Sequence, residues 1–355
     1  MNVAILGDGL VSLTLAKALV NKGINVDIFL NQKKTKLDQS RTIGISKTNV
    51  DFFEKNILSI KKISWNISKI EVYSENLKNE KLLNFENANK QIFSIFKNYE
   101  LYKILISSLN KNRLFKKKKN FKSSLSKNYK LVVNCDINNF FTKKYFTKSL
   151  SKNYKSFALT SIIDHKKVAS NNTAIQIFTQ KGPLAFLPIS NKKTSIVYSV
   201  KGSKEIDFKN LIKKYNNKYK IEKINPISHF KLVSSNLRNY YFENILAFGD
   251  MLHRIHPLAG QGFNMSLRDI RLLINLINSK LECGLELDNS ICIDFEKKIR
   301  HKNYIFSNGI DFIYEFFNLE SKFNNQILSK PVQILGKNKY LNKFFKNLAD
   351  TGWES

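Results

Sequence analysis

Acidic residues are scarce in this chain: 28 Asp and Glu stand against 59 Lys and Arg, a formal net charge of +31 over 355 residues. Cysteine is scarcer still. Cys135, Cys283 and Cys292 are odd in number and form no CxxC pair, which excludes a disulfide scaffold and fits reduced thiols in the cytosol. No apolar run approaches the roughly 20 residues of a membrane span. The Met1-Asn2-Val3 start runs straight into a strand pattern, without the charged region and cleavage site of a signal peptide. A soluble or peripheral protein is expected. No internal repeat, Ser-His-Asp set or metal cluster stands out. His253 and His256 have HxxH spacing, but no further ligand is near and Pro257 disfavours a regular helix through His256, so no metal is expected.

Charge of this size attracts nucleic acid or an anionic membrane. Lys, Asn and Ile are abundant throughout, however, so the excess reads as compositional drift more than as a patch. The densest cluster, Lys116-Lys117-Lys118-Lys119, lies between a helix and a strand and is expected to be a solvated loop. No aromatics interleave with it, and nucleic acid is not an expected partner.

What is present is chemistry for a dinucleotide. Val3-Ala4-Ile5-Leu6 reads as a buried strand, Gly7-Asp8-Gly9 as a tight turn, and Leu10, Leu13, Ala16 and Leu19-Val20 recur at helical spacing up to Gly23. Gly7 allows the sharp turn, and Gly9 lets a diphosphate approach backbone N–H groups at the positive end of a helix. The third glycine of a GxGxxG turn is replaced by Ser12. The acidic residue that would hold the adenosine ribose is missing after Val26-Asp27-Ile28-Phe29, where Leu30 leaves Asn31 as the nearest polar substitute.

Far downstream, Ile245-Leu246-Ala247-Phe248 reads as a second buried strand that stops at Gly249-Asp250. Pro257 breaks the chain, and Gly260-Gln261-Gly262 precedes a helix with an apolar stripe at Phe263, Leu267, Ile270, Ile274, Ile277 and Leu281. A carboxylate at a strand's end can accept the ribityl hydroxyls of a flavin. An amide-rich helix start can stabilise the negative charge of its reduced ring.

The run Gly249 to Asp269, with GD, HP, GQG, Asn264 and a following L-R-D, resembles the second flavin motif of the group A flavoprotein monooxygenases, and within them the ubiquinone-biosynthesis hydroxylases. Arg41 resembles the family's cofactor-contacting arginine loop. Gly182 to Ile189 resembles the substrate-domain strand beside the flavin, and Leu131 to Asp136 the strand that ends in an Asp-Gly motif, here Asp136-Ile137. The resemblance implies bound FAD, a transient NAD(P)H donor, O2, and hydroxylation of an aromatic ring through a flavin C4a-hydroperoxide. The expected substrate is a polyprenylated phenol of ubiquinone synthesis. Halogenation is disfavoured, since Trp65 and Trp353 are the only tryptophans and no WxWxIP motif is present.

The residues expected at the cofactor are Gly7, Gly9, Leu10, Ser12, Asn31, Arg41, Asp136, Gly249, Asp250, Pro257, Gly260, Gln261, Gly262 and Asn264. His256, Pro257 and Pro188 are candidates for the flavin face. Two other readings stay open: a same-fold FAD oxidoreductase on a soluble aromatic, and a non-catalytic scaffold in a ubiquinone-biosynthesis complex, motivated by Ser12, Leu30 and Ile137. The expected architecture is α/β, with a Rossmann-like FAD-binding domain, an inserted, largely antiparallel β-sheet substrate domain and a helical C-terminal part. We expect 1–62, 97–150 and 240–320 to form the discontinuous FAD-binding domain, 63–96 and 151–239 the substrate domain, and 321–355 a C-terminal helical segment. The expected location is cytoplasmic, peripheral to the inner face of the membrane on an anionic surface.

Overall fold

Where the sequence runs apolar without alternation, a parallel sheet forms, as burial on both faces requires. Its six strands lie in the order Tyr241–Phe242, Ile245–Ala247, Leu131–Asn134, Asn2–Leu6, Asn25–Phe29 and Phe115–Lys118. All its neighbours pair in parallel except the Tyr241–Phe242 hairpin arm. The computed structural model describes residues 2–30, 38–77, 80–86, 90–202, 206–323, 329–338, 347 and 350. Its helices are α1 (Leu10–Asn21), α2 (Lys47–Asn56), α3 (Asn98–Asn110), α4 (Phe140–Tyr145), α5 (Phe208–Tyr215), α6 (Gln261–Glu282), α7 (Ser290–Phe323) and α8 (Ser329–Lys337).

The main core packs α1, α3 and α6 on this sheet. Leu13, Leu19, Leu101, Leu105, Leu267, Ile270 and Ile274 are buried in it. The predicted stripe of α6 is correct at Leu267, Ile270, Ile274 and Ile277, which are buried, whereas Leu281 is exposed where the helix runs past the core.

A nine-stranded, mainly antiparallel sheet follows the period-2 segments. It is built around the long Ser149–His165 strand, with Thr173–Thr179, Gly182–Pro188, Lys193–Lys201 and Ser228–Leu237. Residues 63–96 do not stay together. Lys69–Ser74 and Lys81–Glu86 join this large sheet, while Phe93–Lys97 pairs with both Trp65–Ile67 and Thr42–Ser46 in a separate three-stranded sheet.

The lysine cluster is not a loop. Lys116, Lys117 and Lys118 lie in the edge strand Phe115–Lys118, beside Asn25–Phe29. Lysines suit an exposed edge because they discourage pairing with another chain. Lys118 is held by Asp27 at 2.7 Å.

Candidate active site

The two glycine-rich stretches meet because their strands are neighbours. Asn2–Leu6 and Ile245–Ala247 flank Leu131–Asn134, and both end at the same edge of the sheet. A cavity of about 1410 Å³ opens there and continues beneath the large antiparallel sheet. Open α/β sheets place their ligands at this position.

At the first turn, Gly7 has φ +97°, a conformation that L side chains rarely adopt, and a Cβ on Gly9 would meet nothing within 4 Å. The turn is therefore both sharp and open to close approach. Gly9 and the buried Ser12 line the cavity, so the lost third glycine leaves its entrance clear. Asp8 is half-buried at the same turn. Burial raises its carboxyl pKa, and the charge of Asp136 adds to the effect.

Asp250 follows Gly249, whose φ is +64°, in the short 3-10 turn after the second strand. It is exposed, lines the cavity and makes no hydrogen bond with the described residues. Gly260 has φ +65° and caps α6, and Gln261 and Gly262 are its first helical residues. The unbonded amides of a helix start thus face the cavity. Gln261 Oε1 and Asn98 Oδ1 are buried beside it without a partner among the described residues. Buried acceptors in this state cost free energy unless a donor arrives. The open glycine turn, the free carboxylate, the helix start and the orphaned acceptors suit a long polar dinucleotide. The donor set fits FAD.

Of the expected cofactor residues, Gly9, Leu10, Ser12, Arg41, Gly249, Asp250, Pro257, Gly260, Gln261 and Gly262 line this one cavity. Arg41 lies over the Phe230 ring at 5.9 Å. Gly7 is buried behind the turn. Asn31 lies outside the described residues.

Asn264 is a brace. Its Oδ1 accepts from Ser46 N–H and Asn49 Nδ2, and its Nδ2 donates to the carbonyls of Gly44 and Gly260. With both ends engaged it fixes the α6 start against the Arg41 loop. Asp136 is likewise occupied by its own turn, where Oδ1 accepts from Asn138 N–H and the carbonyl accepts from Asn139 and Thr142. The turn needs no glycine at 137: Ile137 has no positive φ and is 40% exposed. Pro188 is buried off the cavity, which Leu187 lines in its place.

His256 also lies off the cavity. It stacks on Tyr314 at 4.2 Å and meets Tyr154 edge-on at 5.1 Å. Neither ring nitrogen has a partner among the described residues, and burial drives its pKa down to about 3 against the weaker pull of Glu315. His253 does line the cavity. Its Nε2 is 2.6 Å from the buried Asp269, which also accepts from Asn303, and this ties the turn after Asp250 to α6 and α7.

Motif reading missed other lining residues, among them Asn98, Tyr102, Lys117, Lys119, Phe230 and Asp350. Asp350 accepts from the Thr48 N–H at 2.9 Å and its hydroxyl at 2.8 Å, at the start of α2. Lys117 and Lys119 line the cavity with Leu30, the position at which a ribose-binding carboxylate is missing.

Substitutions at the two α6 glycines should separate folding from binding. Gly260→Val forces a β-branched residue into left-handed backbone and is expected to cost about 1–2 kcal/mol or more. Gly262 is helical, and a Cβ there would meet only Ile255 Cγ1 at 3.9 Å. Gly262→Ala should therefore unfold at or above the parent temperature yet bind FAD more weakly, because its methyl enters the cavity. Thermal unfolding and FAD titration of both variants check this pair of outcomes.

Comparison with known proteins agrees with this geometry. Residues 154–283 match the family model described as FAD binding domain. Solved relatives share the fold: p-nitrophenol 4-monooxygenase PnpA from Pseudomonas putida DLL-E4 superposes with TM-score 0.75 at 10% identity, covering 98% of each chain. Klebsiella pneumoniae HpxO, solved with FAD and uric acid, also gives TM-score 0.75 at 10% identity, covering 98% of this chain and 97% of its own. The fold is the one these solved proteins share, and the matched family model is an FAD binding domain.

By sequence, segments of the chain are similar to hydroxylases of ubiquinone biosynthesis. The 3-demethoxyubiquinol 3-hydroxylase of Escherichia coli K12 is 28% identical over 153 residues, 40% of this chain and 39% of that protein. Ubiquinone hydroxylase UbiL of Rhodospirillum rubrum is 23% identical over 36% of this chain and 32% of its own. The matched segments thus span well under half of each relative.

Proposed function

We propose that this chain is an FAD-dependent hydroxylase of an electron-rich aromatic ring, acting on a polyprenylated phenol of ubiquinone synthesis with NAD(P)H as a transient donor and O2 as co-substrate. The observation that carries this reading is the continuity of one cavity. Its polar end holds Gly9, Asp250 and Gln261, and its other end is walled by Ile70, Val72, Phe85, Ala174, Leu187 and Val197 from the large sheet. A dinucleotide suits the first set of residues and an apolar substrate the second.

Bound FAD supplies the redox and oxygen chemistry. The protein's part is to bind, orient and exclude water. Asp250 would accept hydrogen bonds from the ribityl hydroxyls and the first amides of α6 would receive negative charge at the ring, with Asn264 and the His253–Asp269 pair holding those groups in place. The apolar wall keeps water from the reacting ring and receives the substrate's hydrocarbon. The substrate's tail resides in a bilayer, so the working location is the surface of an anionic membrane.

The purified protein should show flavin absorbance, or acquire it on titration with FAD. It should then oxidise NAD(P)H in response to prenylated phenols, with the hydroxylated ring found by product analysis. No FAD uptake would end the reading, and turnover of soluble phenols alone would move it to a soluble aromatic substrate.

A further inference from the structure

Helix α7 is apolar on both sides along its second half. Inward, Phe306 and Ile310 are buried with Val72 and Leu258, both of which line the cavity, and Phe317 stacks on Phe178 at 3.7 Å. Outward, Phe312 is 69% exposed and Ile305 and Leu319 47% each, with Tyr304 beside them. Positions 305, 312 and 319 fall on one stripe of a 3.6-residue helix, extending about 21 Å at 1.5 Å per residue. A surface helix ordinarily turns polar residues outward. Isolated exposed apolar residues need no explanation, but an aligned row does.

The same outward side carries the exposed Lys297 and Lys298 about two turns before Ile305, with the half-buried Asp294 one turn further back. Glu315, three residues past Phe312, pairs with Lys152 at 2.8 Å, and Glu296 with Arg300 at 2.8 Å. An apolar row continued by cations matches the boundary of an anionic bilayer, which offers hydrocarbon and negative headgroups together. An acidic protein face would offer the charge without the hydrocarbon depth. A second copy would bring another +31 charges to the contact.

We infer that the outer face of α7, from Lys297 to Leu319, docks the protein on an anionic lipid surface. The face is the back of a helix that packs behind Val72 and Leu258 of the cavity wall, so docking turns that wall toward the bilayer. This rests on the proposed bilayer-resident substrate for its purpose, while the docking itself is measured without substrate or turnover.

The test is cosedimentation of the FAD-loaded protein with phosphatidylcholine vesicles, alone or mixed with phosphatidylglycerol, at physiological salt. The parent should partition preferentially onto the mixed vesicles. Phe312→Glu combined with Leu319→Glu, and separately Lys297→Glu combined with Lys298→Glu, should each lower partitioning at least tenfold, with FAD content unchanged. Leu285→Glu, an exposed apolar position outside the stripe, should bind vesicles like the parent. Equal partitioning of parent and stripe variants would overturn the docking face, as would a parent indifferent to anionic lipid. Light scattering that shows a dimer broken by Phe312→Glu with Leu319→Glu would also overturn it, assigning the face to a second copy. If the parent takes up no FAD, the proposed function fails, and the same comparison on the apo protein still decides the role of α7.

Discussion

FAD affinity should fall roughly 10- to 150-fold in Asp250→Ala, about 1.5–3 kcal/mol, the usual worth of a hydrogen bond to a charged group. Asp250 is exposed at the end of the Ile245–Ala247 strand, with no described residue bonded to its carboxylate. No described residue competes for it, so a ribityl hydroxyl would find both oxygens free. Because surface substitutions away from packing seldom move stability by more than about 0.5 kcal/mol, the apo variant should unfold at the parent temperature. Fluorescence titration of FAD into both proteins reads the affinity. An unchanged dissociation constant in a folded variant removes Asp250 from the cofactor site.

The second large effect lies behind the cavity. His256 is fully buried between Tyr314 and Tyr154, with its pKa depressed from 6.5 to about 3. The unfolded chain therefore binds a proton near pH 6.5 that the folded chain refuses until about pH 3. Stability conferred by the neutral ring is complete above pH 6.5 and lost progressively as pH falls through that window. Integrated over the whole shift the coupling has an upper bound of roughly 5 kcal/mol, of which about 2 kcal/mol is lost between pH 7 and pH 5. His256→Phe keeps an aromatic ring in the stack and has no proton to take up. It should flatten this part of the acid profile while changing stability at pH 7 little. Urea unfolding of parent and variant at pH 7 and pH 5 checks the difference, and parallel losses in both would remove His256 from the acid response.

Much of the site was legible because its pieces are local in sequence. Val3 to Ser12 reads as strand, turn and helix within ten residues, and Gly249 to Asn264 carries carboxylate, chain break and helix start in one run. Both stretches line the cavity. What could not be read depends on pairing between distant segments. Asn98, Tyr102 and Phe230 belong to ordinary-looking helix and strand patterns and become cavity residues only through the packing of the sheets. Asn264 looked like a cofactor contact because it closes the motif, but Ser46, Asn49 and Gly44 use up its amide, and none of these is near it in sequence. Lys116 to Lys118 hid a strand because propensity disfavours lysine there, while register with Asn25–Phe29 decides the outcome.

The cavity's construction also bears on how the chain reaches its native state. Its turn at Gly9 and its carboxylate at Asp250 are set side by side by the central strand Leu131–Asn134, which pairs with both parent strands. Contacts this distant along the chain form slowly, since a long loop must close before they repay its entropy. The complete binding surface does not exist in the early segments alone. Flavin capture is therefore expected late in folding, with the cofactor a ligand of the completed fold that shifts the folding equilibrium by mass action once Gln261 and its helix have joined the sheet.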